Sequence, residues 1–178
     1  ATTLNAANNL EINGALSAQD PSSPMTLTLA GSGSTTITSA LAISTDTTIN
    51  NASGHGLTLG GAIDAAAGAS SSVLTLDNDG GLTLTGTVGG TTALSGLDIQ
   101  HAATLNADIT TAGDQRFGGA VTINAETANL TATSGDMTFS DVINAGPADA
   151  TGAVVNLAAQ DGDVQLDGNV TAATLQAT

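Results

Sequence analysis

An all-β fold, a parallel β-helix of about seven to eight coils, follows from three features of the sequence. The first is a five-residue pattern: an apolar residue, a small or turn-prone residue at +2 and an apolar residue at +4. It occurs twice between Gly113 and Ala145, as Phe117/Gly119/Val121 and Phe139/Asp141/Ile143. It returns as Ile12/Gly14/Leu16, Ile37/Ser39/Leu41, Leu59/Gly61/Ile63, Leu84/Gly86/Val88 and Leu166/Gly168/Val170, seven copies in all. The second is the spacing of the first anchors, 25, 22, 25, 33, 22 and 27 residues, the period of a solenoid whose units bury their apolar faces against neighbours. The third is alternation ahead of most anchors, as in Leu10-x-Ile12, Leu57-x-Leu59, Leu82-x-Leu84, Met137-x-Phe139 and Val164-x-Leu166, which puts every second side chain on one face of a strand. A small residue between apolar positions lets the ribbon bend around one interior.

Composition agrees with a narrow, stacked core. The 178 residues are 40% hydrophobic, nearly all Ala, Leu, Val and Ile, with two Phe and no Trp or Tyr. At the usual strand spacing such a rod is about 35 to 40 Å long, with no room for a second domain, so residues 1–178 read as one repeat segment. Sixteen acidic residues face a single cation, Arg116, for a net charge of −15. Nucleic acid and anionic lipid need cationic side chains to displace counterions, so neither is an expected partner. Cysteine is absent, which removes disulfides and thiolate metal sites. No apolar run approaches the ~20 residues of a membrane span, so membrane insertion is not expected. Ala1 opens on polar repeat sequence rather than a signal peptide, so the chain reads as a mature product or an excised piece.

In chain order, Asn8-Asn9 turns into the first coil, and Gln19 to Pro24 (QDPSSP) is a surface loop because its prolines cannot donate to a ladder. Met25 to Ser44 gives two strands joined at Gly31-Ser32-Gly33, and Gly54-His55-Gly56 turns into LTLGGAID. Ala65 to Ser72 (AAAGASSS) has no core anchor and reads as a mobile exterior loop; a short helix over Ala62 to Ala69 competes, weakened by Gly68 and the serines. Val73 to Gly90 is a strand, turn, strand unit around Asp77-Asn78-Asp79-Gly80-Gly81, repeated as TANLTATSGDMTF and AVVNLAAQDGDVQL. Leu76, Leu130 and Leu157 are then equivalent positions. The interval 85–116 is irregular, either one enlarged coil or a coil plus a partial turn. Ala145 to Gly152 loops around Pro147, and the last strands, VQLDGNV and TLQ, end without a visible cap.

Among residues with chemical potential, a Gly-Asp pair stands ahead of three anchors: Gly113-Asp114, Gly135-Asp136 and Gly162-Asp163. Stacked coils would place Asp114, Asp136 and Asp163 in one column at about 5 Å spacing, where like charges oppose each other unless a cation or solvent intervenes. A calcium column is the sharper reading, with Asp141, Asp161 and Asp167 nearby. None of these turns fits an EF-hand or a glycine-rich calcium nonapeptide, so solvated turn carboxylates are the reading adopted. His55 and His101 lack a nucleophile motif or a second histidine at ligand spacing and are assigned turn or surface roles. Arg116 points outward toward a carboxylate. A Thr-x-Thr face that orders water against ice would need one phase in every coil, whereas Thr26-x-Thr28, Thr83-x-Thr85 and Thr131-x-Thr133 differ in phase. The Asn-x-Ser/Thr triplets at Asn51, Asn129 and Asn169 are what chance gives in this composition. No catalytic, cofactor or metal residue is therefore assigned, and the chain reads as non-enzymatic.

The stretch from Thr110 to Phe139, TTAGDQRFGGAVTINAETANLTATSGDMTF, resembles the repeats of very large bacterial surface adhesins of the filamentous haemagglutinin type, where T-x-G-D-Q-x-F/Y-x-G-A-V-T-L recurs. The likeness is closest from Gly80 to Ala172. It implies a right-handed parallel β-helix, export across the outer membrane and a secreted or cell-surface location. It also implies a rigid stalk whose partners are other copies or flanking repeats stacked end to end, with cell-surface or matrix glycans as candidate ligands. No functional residue carries over, because the shared motif is structural. A self-assembling filament subunit and a β-helix polysaccharide-active enzyme are the alternatives; the enzyme would need cationic residues that one arginine does not supply.

Overall fold

The computed structural model describes residues 2–5, 10–12, 23–30, 33–51, 54–146 and 153–178. They form a parallel β-solenoid of three faces, with no helix among them. Every strand pair is parallel, and each strand bonds to the strands one turn before and after it, so the chain winds rather than folding back. The turn beginning at Gly96 shows the plan: Gly96–Ile99 on the first face, Ala103–Leu105 on the second and Ile109–Thr111 on the third. The chain then returns to the first face at Gln115–Phe117.

Eight strands make up each of the first two sheets, and the third is shorter. The turn from Val73 reaches the third face only through the single residue Val88, which bridges Ile63 and Ile109. The third side of the turn from Thr2 lies outside the described residues. About six turns are complete, which corrects the expected seven to eight.

Period-two alternation appears as burial. In Val73–Asp77 the odd side chains face out while Leu74 and Leu76 are sealed inside, and Met137–Phe139 buries both ends. Because every residue pairs with its equivalent one turn away, buried side chains stack into ladders. On the first face one ladder runs Leu27, Ile49, Leu76, Ile99, Phe117, Phe139, Leu166. On the second, Ile37, Leu59, Leu84, Leu105 and Ile123 stack in the same way. Each fully buried Leu, Ile or Phe contributes about 1.5–3 kcal/mol. Phe117 and Phe139, expected to pack one coil apart, do so as parallel rings with centroids 4.5 Å apart and planes 2° from parallel.

The register also corrects the phasing of the seven copies. Ile37, Leu59 and Leu84 lie on the second face, whereas Phe117, Phe139 and Leu166 lie on the first. Leu84 pairs with Leu105, and Phe117 with Ile99, so the irregular interval holds one whole coil plus a partial turn. The five-residue pattern marks a corner, and two of the three corners use it. A side chain on Gly86 would collide with the carbonyl of Gly61 one turn below; one on Gly119 would collide with His101 and Ala102. Both corners demand the same absence of side chain, so the pattern alone does not tell them apart. Leu130 and Leu157 pair as expected on the third face, but Leu76 sits on the first and is not their equivalent.

Ala65 to Ser72 is an exterior loop as expected from Ala66 onward, not a helix, but it is anchored at both ends. Ile63–Ala65 is a strand, the turn at Gly68 takes φ 77°, and Ser72 is buried with its hydroxyl 3.2 Å from that of Ser95. The Asp46 carboxylate accepts from the Ser71 hydroxyl and, at 3.1 Å, from the Val73 amide. The turn at Asn8-Asn9, most of Gln19 to Pro24, part of Gly31-Ser32-Gly33 and most of Ala145 to Gly152 lie outside the described residues.

Candidate functional site

The corner between third and first faces carries the Gly-Asp pairs, and the coils do stack in phase there. The Asp114 carboxylate Oδ1 accepts the Asp136 amide at 2.9 Å, and the Asp136 Oδ1 accepts the Asp163 amide at 2.9 Å. The glycines make this approach possible, since a side chain at Gly135 or Gly162 would overlap the corner below. The aspartates are therefore not merely solvated: each of the first two spends one oxygen on an amide that the corner leaves without a ladder partner. Asp64 does the same for the amides of Thr91 and Thr92, at 2.8 and 3.1 Å, and Asp108 for Asn129 at 2.9 Å. Among the described residues no three acidic or histidine side chains converge as metal ligands.

The two histidines part company. His101 is exposed, with Nε2 3.0 Å from Asp77 Oδ1, as a surface role requires. His55 is fully buried at a corner, so of the turn and surface roles expected for it the turn role holds and the surface one does not. Its Nε2 lies 2.8 Å from the Thr35 hydroxyl, and Asn51 donates from its amide to the His55 carbonyl and to the buried Asn78. Gly80 stacks directly over His55, where a Cβ would strike its backbone. The Asp77-to-Gly81 turn is thus a corner with Asn78 folded inward, its Oδ1 accepting the Gly80 amide at 3.1 Å. Gly54-His55-Gly56 and DNDGG carried no apolar signal that would have marked this polar knot as interior. Near the third-face corner, Gln115 is also buried, donating to the Thr131 carbonyl at 2.8 Å. Arg116 points outward, as expected, and bonds Asp98 at 3.0 Å.

A feature that the sequence reading missed lies on the outer surface of the second sheet. Thr36, Thr58, Thr83, Thr104 and Thr122 are register partners in five successive turns, all outward and half-exposed. The column before them is Ser34, Gly56, Gly81, Ala102, Ala120; the column after is Thr38, Gly60, Thr85, Asn106, Asn124. None of these fifteen positions is charged. The small column and the threonines from Thr58 to Thr122 line an open trough of about 410 Å³. The three Thr-x-Thr triplets do fall on different faces, as expected, but single threonines in unlike contexts share this one. Only the register, which absorbs turns of unequal length, reveals the alignment.

Compared with known proteins, the chain matches no family model, no curated protein and no solved structure.

Proposed function

We propose that the chain is a non-enzymatic structural segment, a rigid stalk of a secreted or cell-surface fibrous adhesin of the filamentous haemagglutinin type. The observation that carries this reading is the continuity of the inward ladders: one hydrophobic interior runs through successive turns. A rod of that kind transmits length and resists local opening, because a turn comes loose only by breaking ladders on three faces. The acid-rich surface favours separation of parallel shafts. The Thr110 to Phe139 motif supports the adhesin assignment, and its Gly-Asp and Phe positions are the ones that build the corner and the ring stack.

The test is to express the chain with its native flanking sequence and to locate it. Surface labelling of intact cells together with elongated particles in electron microscopy is the expected result. A cytoplasmic protein, or flanks without further repeats, refutes the stalk.

A filament subunit is the second reading, and one observation favours it. At the last turn Val164, Leu166 and Val170 are only partly covered and Leu175 is 39% exposed. Another coil of matching register, from flanking repeats or a second copy, would cover them. Long uniform fibres formed by the isolated chain select the filament; monomers in sedimentation select the shaft.

A further inference from the structure

We infer that the outer corner around Gly96 binds a carboxylate carried on a short carbon stem, offered by a small free acid or by the side chain of an acidic peptide. The protein itself shows what that ligand looks like. Along the corner between third and first faces the outward register runs Asp46, Val73, Gly96, Asp114, Asp136, Asp163. Each aspartate with a rung above it turns its Oδ1 onto the amide of that rung: Asp46 onto Val73 at 3.1 Å, Asp114 onto Asp136 and Asp136 onto Asp163 at 2.9 Å. A corner amide has no ladder partner, so it draws its acceptor from the turn below. The Asp114 amide holds the equivalent place in its own turn, and below it stands Gly96, which has no side chain to offer.

The space fits the missing group. A Cβ at Gly96 would lie 3.3 Å from the Asp114 carbonyl oxygen and 3.6 Å from a Val73 methyl, within contact range of both. Around that point opens a cavity of about 280 Å³, walled by Val73, Asp98, Asp114 and Arg116 among others. A ligand carboxylate can therefore enter from solvent where other turns place an aspartate, with its stem against Val73.

Charge favours the same occupant. Arg116 is the sole cation of the chain, its side chain is 55% exposed, and Nη1 bonds Asp98 at 3.0 Å. The guanidinium has further N–H donors, in the fork geometry that suits a carboxylate. The neighbouring acids are already engaged: Asp98 by Arg116 and Gln100, and Asp114 Oδ1 by the Asp136 amide. A carboxylate at this rung would stand to Asp114 as Asp114 stands to Asp136, a spacing of about 4.8 Å that the column already holds twice.

The test titrates the isotope-labelled chain with sodium acetate, against sodium chloride at equal ionic strength, and follows its amide resonances. Saturable downfield shifts of the Asp114 amide and the Arg116 Nε–H are expected at millimolar acetate, while the Asp136 and Asp163 amides hold still. N-acetyl-aspartate amide separates the sources: if it binds, the site takes an acidic peptide side chain, and if acetate alone binds, a free acid. Arg116→Ala should weaken binding by about tenfold. Gly96→Asp should abolish it, with the Asp114 amide already shifted before any ligand is added; circular dichroism verifies the fold of both variants. Shifts that never saturate, the same shifts with chloride, or undiminished binding in Arg116→Ala would each overturn the inference.

Discussion

The ring stack offers a measurement that separates the true winding from the one the seven copies suggest. Phe117 and Phe139 are 0% and 1% exposed, with centroids 4.5 Å apart. Truncating either to alanine removes a fully buried ring and leaves a cavity in a narrow core, a loss of about 3–5 kcal/mol. For a chain of this length that corresponds to a fall in Tm of roughly 6–20 °C. The double variant F117A/F139A should reveal a coupling of about 0.5–1.5 kcal/mol between the rings. Leu84 and Phe117, neighbours in the simple list of repeats, sit two rungs apart on different faces, roughly 10 Å along the axis, and should be additive within ~0.5 kcal/mol. Denaturant unfolding supplies the energies. Hydrogen exchange at the Ser140 amide, which donates to the Phe117 carbonyl at 2.9 Å, reports locally if turns unfold separately. A coupling near zero for the Phe pair, or a larger one for Leu84 with Phe117, would refute the register.

Other expectations concern corners and surface. Gly86→Ala should cost about 3 kcal/mol in denaturant unfolding, because its Cβ meets the Gly61 carbonyl rather than a flexible side chain. His55→Leu should cost about 2 kcal/mol by the same measurement, since it strands the buried Thr35 hydroxyl. Asp136→Ala removes the acceptor of the Asp163 amide and should lower stability by about 1 kcal/mol. Asp136→Asn keeps the acceptor and relieves charge repulsion along the column, so its Tm should match or exceed the wild type. Arg116→Ala breaks a pair whose side chains are 55% and 29% exposed, and less than about 1 kcal/mol should be lost, shrinking further in high salt.

Strand alternation, parallel winding and the Phe117–Phe139 contact were legible because each depends on short-range period or on neighbouring turns of nearly equal length. The phase along the whole rod was not. A corner needs small residues wherever it occurs, so Gly61, Gly86 and Gly119 look alike although they serve two different corners. Turn length hides the rest: Leu97 to Gln115 takes 18 residues and Met137 to Val164 takes 27. The threonine column of the second face was obscured for that reason, since its members follow no constant interval. Buried His55 and Asn78 escaped because polar corner residues read as solvent-facing until the turn above closes over them. The Asp114–Asp136–Asp163 alignment was visible as a column, but the amides it serves became apparent only once the ladder was known to lapse at that corner.

Turns of 18 and 27 residues present equal three-residue strands to the first sheet, and part of the surplus lengthens the third-face strand, three residues in Ile109–Thr111 and six in Val154–Ala159. Closing a longer excursion costs only the logarithm of its length. Guest peptides, epitopes or whole folded domains can therefore be spliced between Ala66 and Ser71 while the strands on either side keep their partners. The scaffold behaves as a ruler with sockets: its graduations are set by strand pairing, and its cargo is chosen separately at each bend.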